Sequence, residues 1–204
     1  MTGATDARRF APATERNRGP ILEVLRSALP ESGSVLEIAS GTGEHVVWFA
    51  RSLPGLAFQP SDPDPGNRAS IVAWVRHCGV TNVEAPLDID AAGERWPVAG
   101  GFDAILCINM IHISPWAATL GLMRNSAAAL SPGGLLCLYG PFRRDGAHTA
   151  PSNEAFDESL RERDPAWGVR DLATVTEAAA SSGLMPDGVV TMPANNLSVM
   201  FRRA

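Results

Sequence analysis

The chain predicts an α/β fold: one mainly parallel sheet with helices on both faces, finished by an antiparallel hairpin. Three observations carry this. From Ser34 to Leu184, short strand-like apolar runs alternate with segments of helical periodicity. One of them, "FDAILCINMI", is apolar almost throughout, as a strand buried on both faces should be. The last two runs, "GVVTMP" and "LSVMFRR", are separated only by "ANN", which reads as a hairpin.

Taken in order, the segment up to Gly19 is polar and reads as partly irregular. "GPILEVLRSALPESG" then sets Ile21, Leu22, Leu25 and Leu29 at helical spacing and stops at Pro30. "SVLEIAS" is the first strand. "GTGEHVVWFARSLPG" is a helix with Val46, Val47, Phe49 and Ala50 inward, ended by Pro54-Gly55. "LAFQPSD" is the second strand, and the turn "DPDPGN" leads to the helix "RASIVAWVRHCGV", with Ile71, Val72 and Val75 on one side. "NVEAPLDI" is a short third strand and "FDAILCINMI" the fourth. "PWAATLGLMRNSAAAL" is helical, and Pro132-Gly133-Gly134 turns it into "LLCLYGP", the fifth. An irregular polar insertion, 141–171, precedes the helix "LATVTEAAASSGL" and the hairpin. With no internal repeat, residues 1–204 read as one domain.

Composition narrows the function. The chain is 204 residues long and 45% hydrophobic, enough for a sizeable core. Its net charge of -5 argues against a nucleic-acid surface. Every basic residue is Arg, which removes a P-loop lysine, a Schiff-base lysine and a lysine general base. Cys78, Cys107 and Cys137 form no CxxC or Cys/His cluster, so they read as buried thiols of a reducing compartment, without metal. No apolar leader segment and no run near about 18 apolar residues is seen. The expectation is a soluble cytoplasmic protein that binds neither membrane nor nucleic acid.

"VLEIASGTGEH", Val35 to His45, carries the chemistry. In a doubly wound sheet, ligands bind beyond the carboxyl ends of the strands. Gly41 and Gly43 let the backbone approach one closely, and the next helix turns its free N–H groups to the same place. A dinucleotide loop would carry a third glycine where Val46 stands, and the charge of Glu37 would oppose a pyrophosphate. That charge favours a ligand with an ammonium and a sulfonium, which is S-adenosylmethionine. Asp62, ending the second strand, is placed to accept both ribose hydroxyls, or else is a turn residue before Pro63. Asp88, ending the third, is a candidate for the adenine amino group, or a helix cap. Asn109, ending the fourth, is a candidate for the aminoacyl arm, or a structural residue.

These motifs extend along the chain. "APATERNRGPILEVL", "VLEIASGTGEH", "FQPSD", "NMIHISPW", "YGPF", "SNEAFDESLRERDPAWGVRD" and "MPANN" together resemble the methyltransferase-like family, domain of unknown function 938, that includes methyltransferase-like protein 26. The resemblance covers the chain from about Phe10 onward; at Phe10 itself relatives often have Tyr. It implies the Rossmann-like, seven-stranded class I methyltransferase fold and S-adenosylmethionine as cofactor, and it implies no particular substrate.

Methyl transfer from a sulfonium asks the protein mainly to align the acceptor, exclude water and take a proton. His112, just past the fourth strand, is the candidate base; the plain alternative is a core histidine bonded to backbone. Tyr139, ending the fifth strand, would orient a substrate or pack with its hydroxyl bonded. Trp116 would line the pocket or staple the next helix. Segment 1–19 would fold over the cofactor, with Arg16 and Asn17 reaching its carboxylate. Segment 141–171 would be a lid carrying Asn153 and Arg170 as substrate contacts, Arg170 able to clamp a carboxylate. His45 reads as a capping or packing residue.

The function expected is methyl transfer to a small-molecule O, N or S nucleophile. A protein methyltransferase and a non-catalytic cofactor-binding module are alternatives, and a nicotinamide oxidoreductase is disfavoured by Val46 and Glu37.

Overall fold

A computed structural model describes residues 6–204. Helix α1 spans Pro12–Ala28, followed by β1 (Gly33–Ile38), α2 (Glu44–Ser52), β2 (Leu56–Pro60) and α3 (Pro65–Cys78). Then come β3 (Phe102–Ile108), α4 (Trp116–Ala129) and β4 (Leu130–Gly140). The insertion holds β5 (Phe142–Arg144), β6 (Ala147–His148), α5 (Pro151–Arg163) and β7 (Arg170–Asp171). Helix α6 (Leu172–Ser181) leads into the hairpin β8 (Leu184–Met192) and β9 (Asn196–Arg203).

The main sheet runs β2-β1-β3-β4-β9-β8, parallel as far as β4 and antiparallel across β9 and β8. Alternation along each strand splits its side chains between two cores. Val35, Ala104, Leu106, Leu135 and Cys137 face α1, α2 and α3, where Ile21, Leu25, Phe49 and Ile71 meet them. Leu36, Ile105, Cys107, Leu136 and Leu138 face α4 and α6, against Leu122, Met123 and Val175. Both cores exist because the middle strands are apolar on both faces.

Three expectations are corrected. The sheet has six strands, not seven. The segment expected as the third strand, "NVEAPLDI", makes only two isolated parallel bridges to the β2 edge, Phe58 with Val83 and Ser61 with Leu87. Pro86 has no N–H to give, and the chain bulges there; the Gln59 side chain bonds the carbonyl of Ala85 instead (2.7 Å). Second, helix α1 starts at Pro12, inside the segment expected to be partly irregular; of that segment, residues 1–5 lie outside the described residues. Third, the insertion is ordered. Helix α5 turns Asn153, Asp157 and Leu160 inward at helical spacing, two of them polar, so its inward face carries no apolar signature.

Asp157 organises that insertion. Its carboxylate accepts from the Val169 N–H (2.6 Å), pairs with Arg161 (3.1 Å) and lies 3.4 Å from His148 Nε2. The small sheet β6-β5-β7 completes the unit. No helix among the described residues is long and apolar enough to cross a membrane.

Candidate active site

The carboxyl ends of β1 and β3, neighbours in the sheet, each run into a residue with left-handed backbone, Ala39 (φ 55°) and Asn109 (φ 58°). Neither is glycine, so the surroundings hold both in a sparsely populated region, a feature that concentrates at functional sites. Two cavities open at this rim, and Ile113 lines both.

The first, about 410 Å³, lies over the glycine turn and is walled by Ala39, Gly41, Asp62, Ile89, Asp90 and Ile113. Gly43 caps α2 at φ 90°, and a Cβ there would meet Ile71 Cα at 2.8 Å. Gly41, at φ 57°, has open space where a Cβ would point. Asp62 is 4% exposed; its Oδ2 accepts from Gly41 N–H (2.9 Å), and its Oδ1 from Asp64 N–H and the Asn67 amide. The carboxylate thereby holds the turn to β2.

Glu37 is buried beneath this turn rather than lining either chamber. Burial raises its carboxyl to about 7, the Asp62 charge adds to the rise, and a hydrogen bond from Ser40 opposes it. Its Oε2 has no partner. Asp88 turns outward to pair with Arg68 (3.0 Å) and does not wall the first cavity. Two residues on, Asp90 does; the bulge at Pro86 displaces the register that points to Asp88.

The second chamber, about 630 Å³, is walled by α1, α5, the turn before β9 and the loop after β3. It gathers Arg16 from α1, Asn109 and His112 from the loop after β3, Tyr139 from β4 and Asn153 from α5. His112 is 2% exposed, packed on Gly140 and edge-on to Phe156 (5.7 Å between ring centres). Burial, then the charge of Arg170, pushes its imidazole down to about 4, so the ring is neutral at pH 7. Nδ1 is sealed and unpartnered. The His112 carbonyl accepts from Gly168 N–H (3.0 Å), tying the insertion to the loop.

Burial raises the Tyr139 phenol, while hydrogen bonds with Asn17 and Asn196 oppose the shift. Asn17 Oδ1 lies 2.8 Å from His45 Nε2, and burial pushes His45 down to about 4. The neutral ring must therefore donate there, which makes His45 the anchor of Asn17. Asn17 and Tyr139 together join α1 to the end of β4.

Trp116 and Arg170 lie outside both chambers. Arg170 donates from Nε to Ile111 O (3.0 Å) and from Nη2 to Ser114 O (2.6 Å) and Ala166 O (3.0 Å). Its guanidinium sits 5.8 Å from the Trp116 ring. Arg170 thereby fastens the insertion to the loop bearing His112. Reading by sequence also missed Phe156, whose polar surroundings give no periodic signal. Among the described residues, no three His, Cys, Asp or Glu side chains converge to hold a metal.

The chain belongs to the family described as Protein of unknown function (DUF938), matched over residues 8–203. Its structure is similar to that of the mitomycin 7-O-methyltransferase MmcR, with TM-score 0.80, 17% identity, and coverage of 94% of this chain and 54% of that one. It is similar to an O-methyltransferase family protein from Burkholderia thailandensis, with TM-score 0.79, 18% identity and coverage of 94% and 57%. A third, CalO1, a methyltransferase in calicheamicin biosynthesis solved with SAH bound, gives TM-score 0.72, 18% identity and coverage of 94% and 55%. The chain thus spans about half the length of the solved structures it matches. Likeness at this identity shows the fold, an α/β architecture matching class I methyltransferases.

Proposed function

We propose that the chain is an S-adenosylmethionine-dependent methyltransferase acting on a small-molecule nucleophile. The observation that carries this is the pair of neighbouring cavities: one over a glycine turn open at Gly41, with the Asp62 carboxylate beside it, and a second holding His112, with Ile113 in the wall of both. The residues fit the cofactor. A turn without side chains admits a nucleoside, a carboxylate at the next strand end suits a ribose, and no phosphate-binding cation lines the first chamber.

When bound, S-adenosylmethionine supplies a methyl group on a sulfonium, already activated for displacement. The chain's residues do the rest. Asp62 accepts the ribose hydroxyls and Asp90 stands in for Asp88 on the base. Arg16 and Asn109 receive the aminoacyl arm, and Glu37 contributes negative potential from below. His112 takes the acceptor's proton at Nε2, the nitrogen not sealed against the protein. Tyr139, its hydroxyl engaged by two asparagines, orients the chamber wall and does not exchange a proton. The family resemblance noted from the sequence, reaching to methyltransferase-like protein 26, supports the same reading, and three free cysteines suit a cytoplasmic setting.

One observation favours a second reading, a cofactor-binding module without turnover: an imidazole held near 4 is a weak base. Calorimetry with S-adenosylhomocysteine, followed by turnover with extracts, tests both. Binding plus a methylated product that His112→Ala abolishes, with cofactor affinity kept, supports the enzyme. Binding without product supports the module, and absence of binding removes both.

A further inference from the structure

The second chamber has an unusual balance of charge. Arg16 is the one charged side chain that lines it; no carboxylate does, and the remaining polar walls are amides, a serine, a phenol and an imidazole. In the methyltransferase reading, on which this inference rests, Arg16 is engaged by the cofactor's carboxylate. An acceptor would then meet no charge at all.

Two acceptors on the walls are left free, at Asn153 and His112. Asn153 is 5% exposed and spends both amide hydrogens, on Thr149 Oγ1 (3.0 Å) and on the Asn195 carbonyl (2.9 Å). Its Oδ1 is left as an acceptor with no donor assigned to it. Tyr139 is already engaged by Asn17 and Asn196, and Asn17 by His45. In the same reading His112 keeps the Nε2 lone pair free to take a proton, which makes it a second acceptor. Buried acceptors without donors are costly, so a ligand that brings donors is selected. The apolar part of the wall is flat: Phe156, 38% exposed although aromatic, stands beside Pro141, Ile113 and Pro193.

We propose that this chamber takes an uncharged ring compound carrying at least two hydrogen-bond donors, one facing His112 and the other the amide oxygen of Asn153. An ammonium would find no carboxylate. A carboxylate would face two acceptors.

Ligand-observed saturation-transfer NMR tests this with four one-ring probes: resorcinol, anisole, benzylamine and benzoate, each with and without S-adenosylhomocysteine. Resorcinol is expected to bind about threefold to tenfold more tightly than anisole, the range of one or two neutral hydrogen bonds, and more tightly than either charged probe. In Asn153→Ser the margin over anisole should shrink. Because Asn153 also holds the turn at Asn195, Phe156→Ala is the second variant: it breaks no hydrogen bond and should weaken resorcinol and anisole alike. With S-adenosylhomocysteine bound, benzylamine or benzoate matching resorcinol, a margin unchanged in Asn153→Ser, or no resorcinol signal would each overturn the proposal. Calorimetry with S-adenosylhomocysteine separates the two ideas: selective resorcinol binding without it removes the methyltransferase reading alone, and cofactor binding without probe selectivity removes this one alone.

Discussion

Gly140 and His112 touch so closely that a Cβ on the glycine would lie 2.7 Å from Cε1 of the imidazole and 3.0 Å from Nδ1. The end of β4 thus sets the plane of the ring that the loop after β3 delivers. Gly140→Ala must displace the imidazole or the strand, at an overpacking cost of about 1–3 kcal/mol. The expected outcome is a fall in turnover of about tenfold or more with cofactor affinity close to wild type. Thermal melts and calorimetry, run beside the turnover assay, check it; equal losses of affinity and turnover would point to general damage instead.

Asp62 serves the Gly41 N–H, the Asp64 N–H and the Asn67 amide in the protein, and the ribose in the proposed complex. Asp62→Ala should weaken S-adenosylhomocysteine by one or two charge-assisted hydrogen bonds, about 1.5–3 kcal/mol each. Calorimetry measures this directly, and an unchanged dissociation constant would leave Asp62 as a turn residue alone.

Glu37 gives a pH signature. Its folded carboxyl is raised to about 7 from an ordinary 4.5, so the folded state holds the proton more tightly than the unfolded chain. The stability this provides is full below about 4.5 and is lost as pH rises towards 7. His45 and His112, both lowered to about 4, act in the opposite sense, costing stability as pH falls from 6.5. The wild-type curve mixes the two, but the difference between wild type and Glu37→Gln isolates the carboxyl. Urea unfolding should find the variant gaining on wild type from about pH 4.5 to 7 and level beyond. A difference independent of pH would contradict the assignment.

Asp157→Ala removes the acceptor for the Val169 N–H and the partner of Arg161. A loss of about 2–3 kcal/mol, typical of a buried hydrogen-bonded charge, is expected, confined to the insertion. Hydrogen exchange should accelerate in α5 and around Val169 while β1, β3 and β4 stay protected.

The parallel strands and the helices flanking them were legible because burial on two faces writes uninterrupted apolar runs and helical stripes. Gly41, Gly43, Asp62, Asn109 and His112 were legible for a related reason: each follows directly from a strand end, and strand ends in such a sheet point to one rim. Asp88 was misplaced because the bulge at Pro86 depends on how an edge segment meets β2. Arg170 and Trp116 were misplaced because a cation and an aromatic in a polar stretch look alike whether they meet a ligand or a backbone carbonyl.

From its residues alone, this chain determined the layering of its sheet, the glycine turn after β1 and the rim on which the strand ends converge. Those are consequences of local periodicity and of backbone freedom at two glycines. Which side chains share a cavity was decided only in three dimensions, when α1, α5 and the final hairpin closed over the rim. Their contacts join residues far apart in sequence, Asn17 with His45 and Asn153 with Asn195, and no local pattern encodes such a meeting.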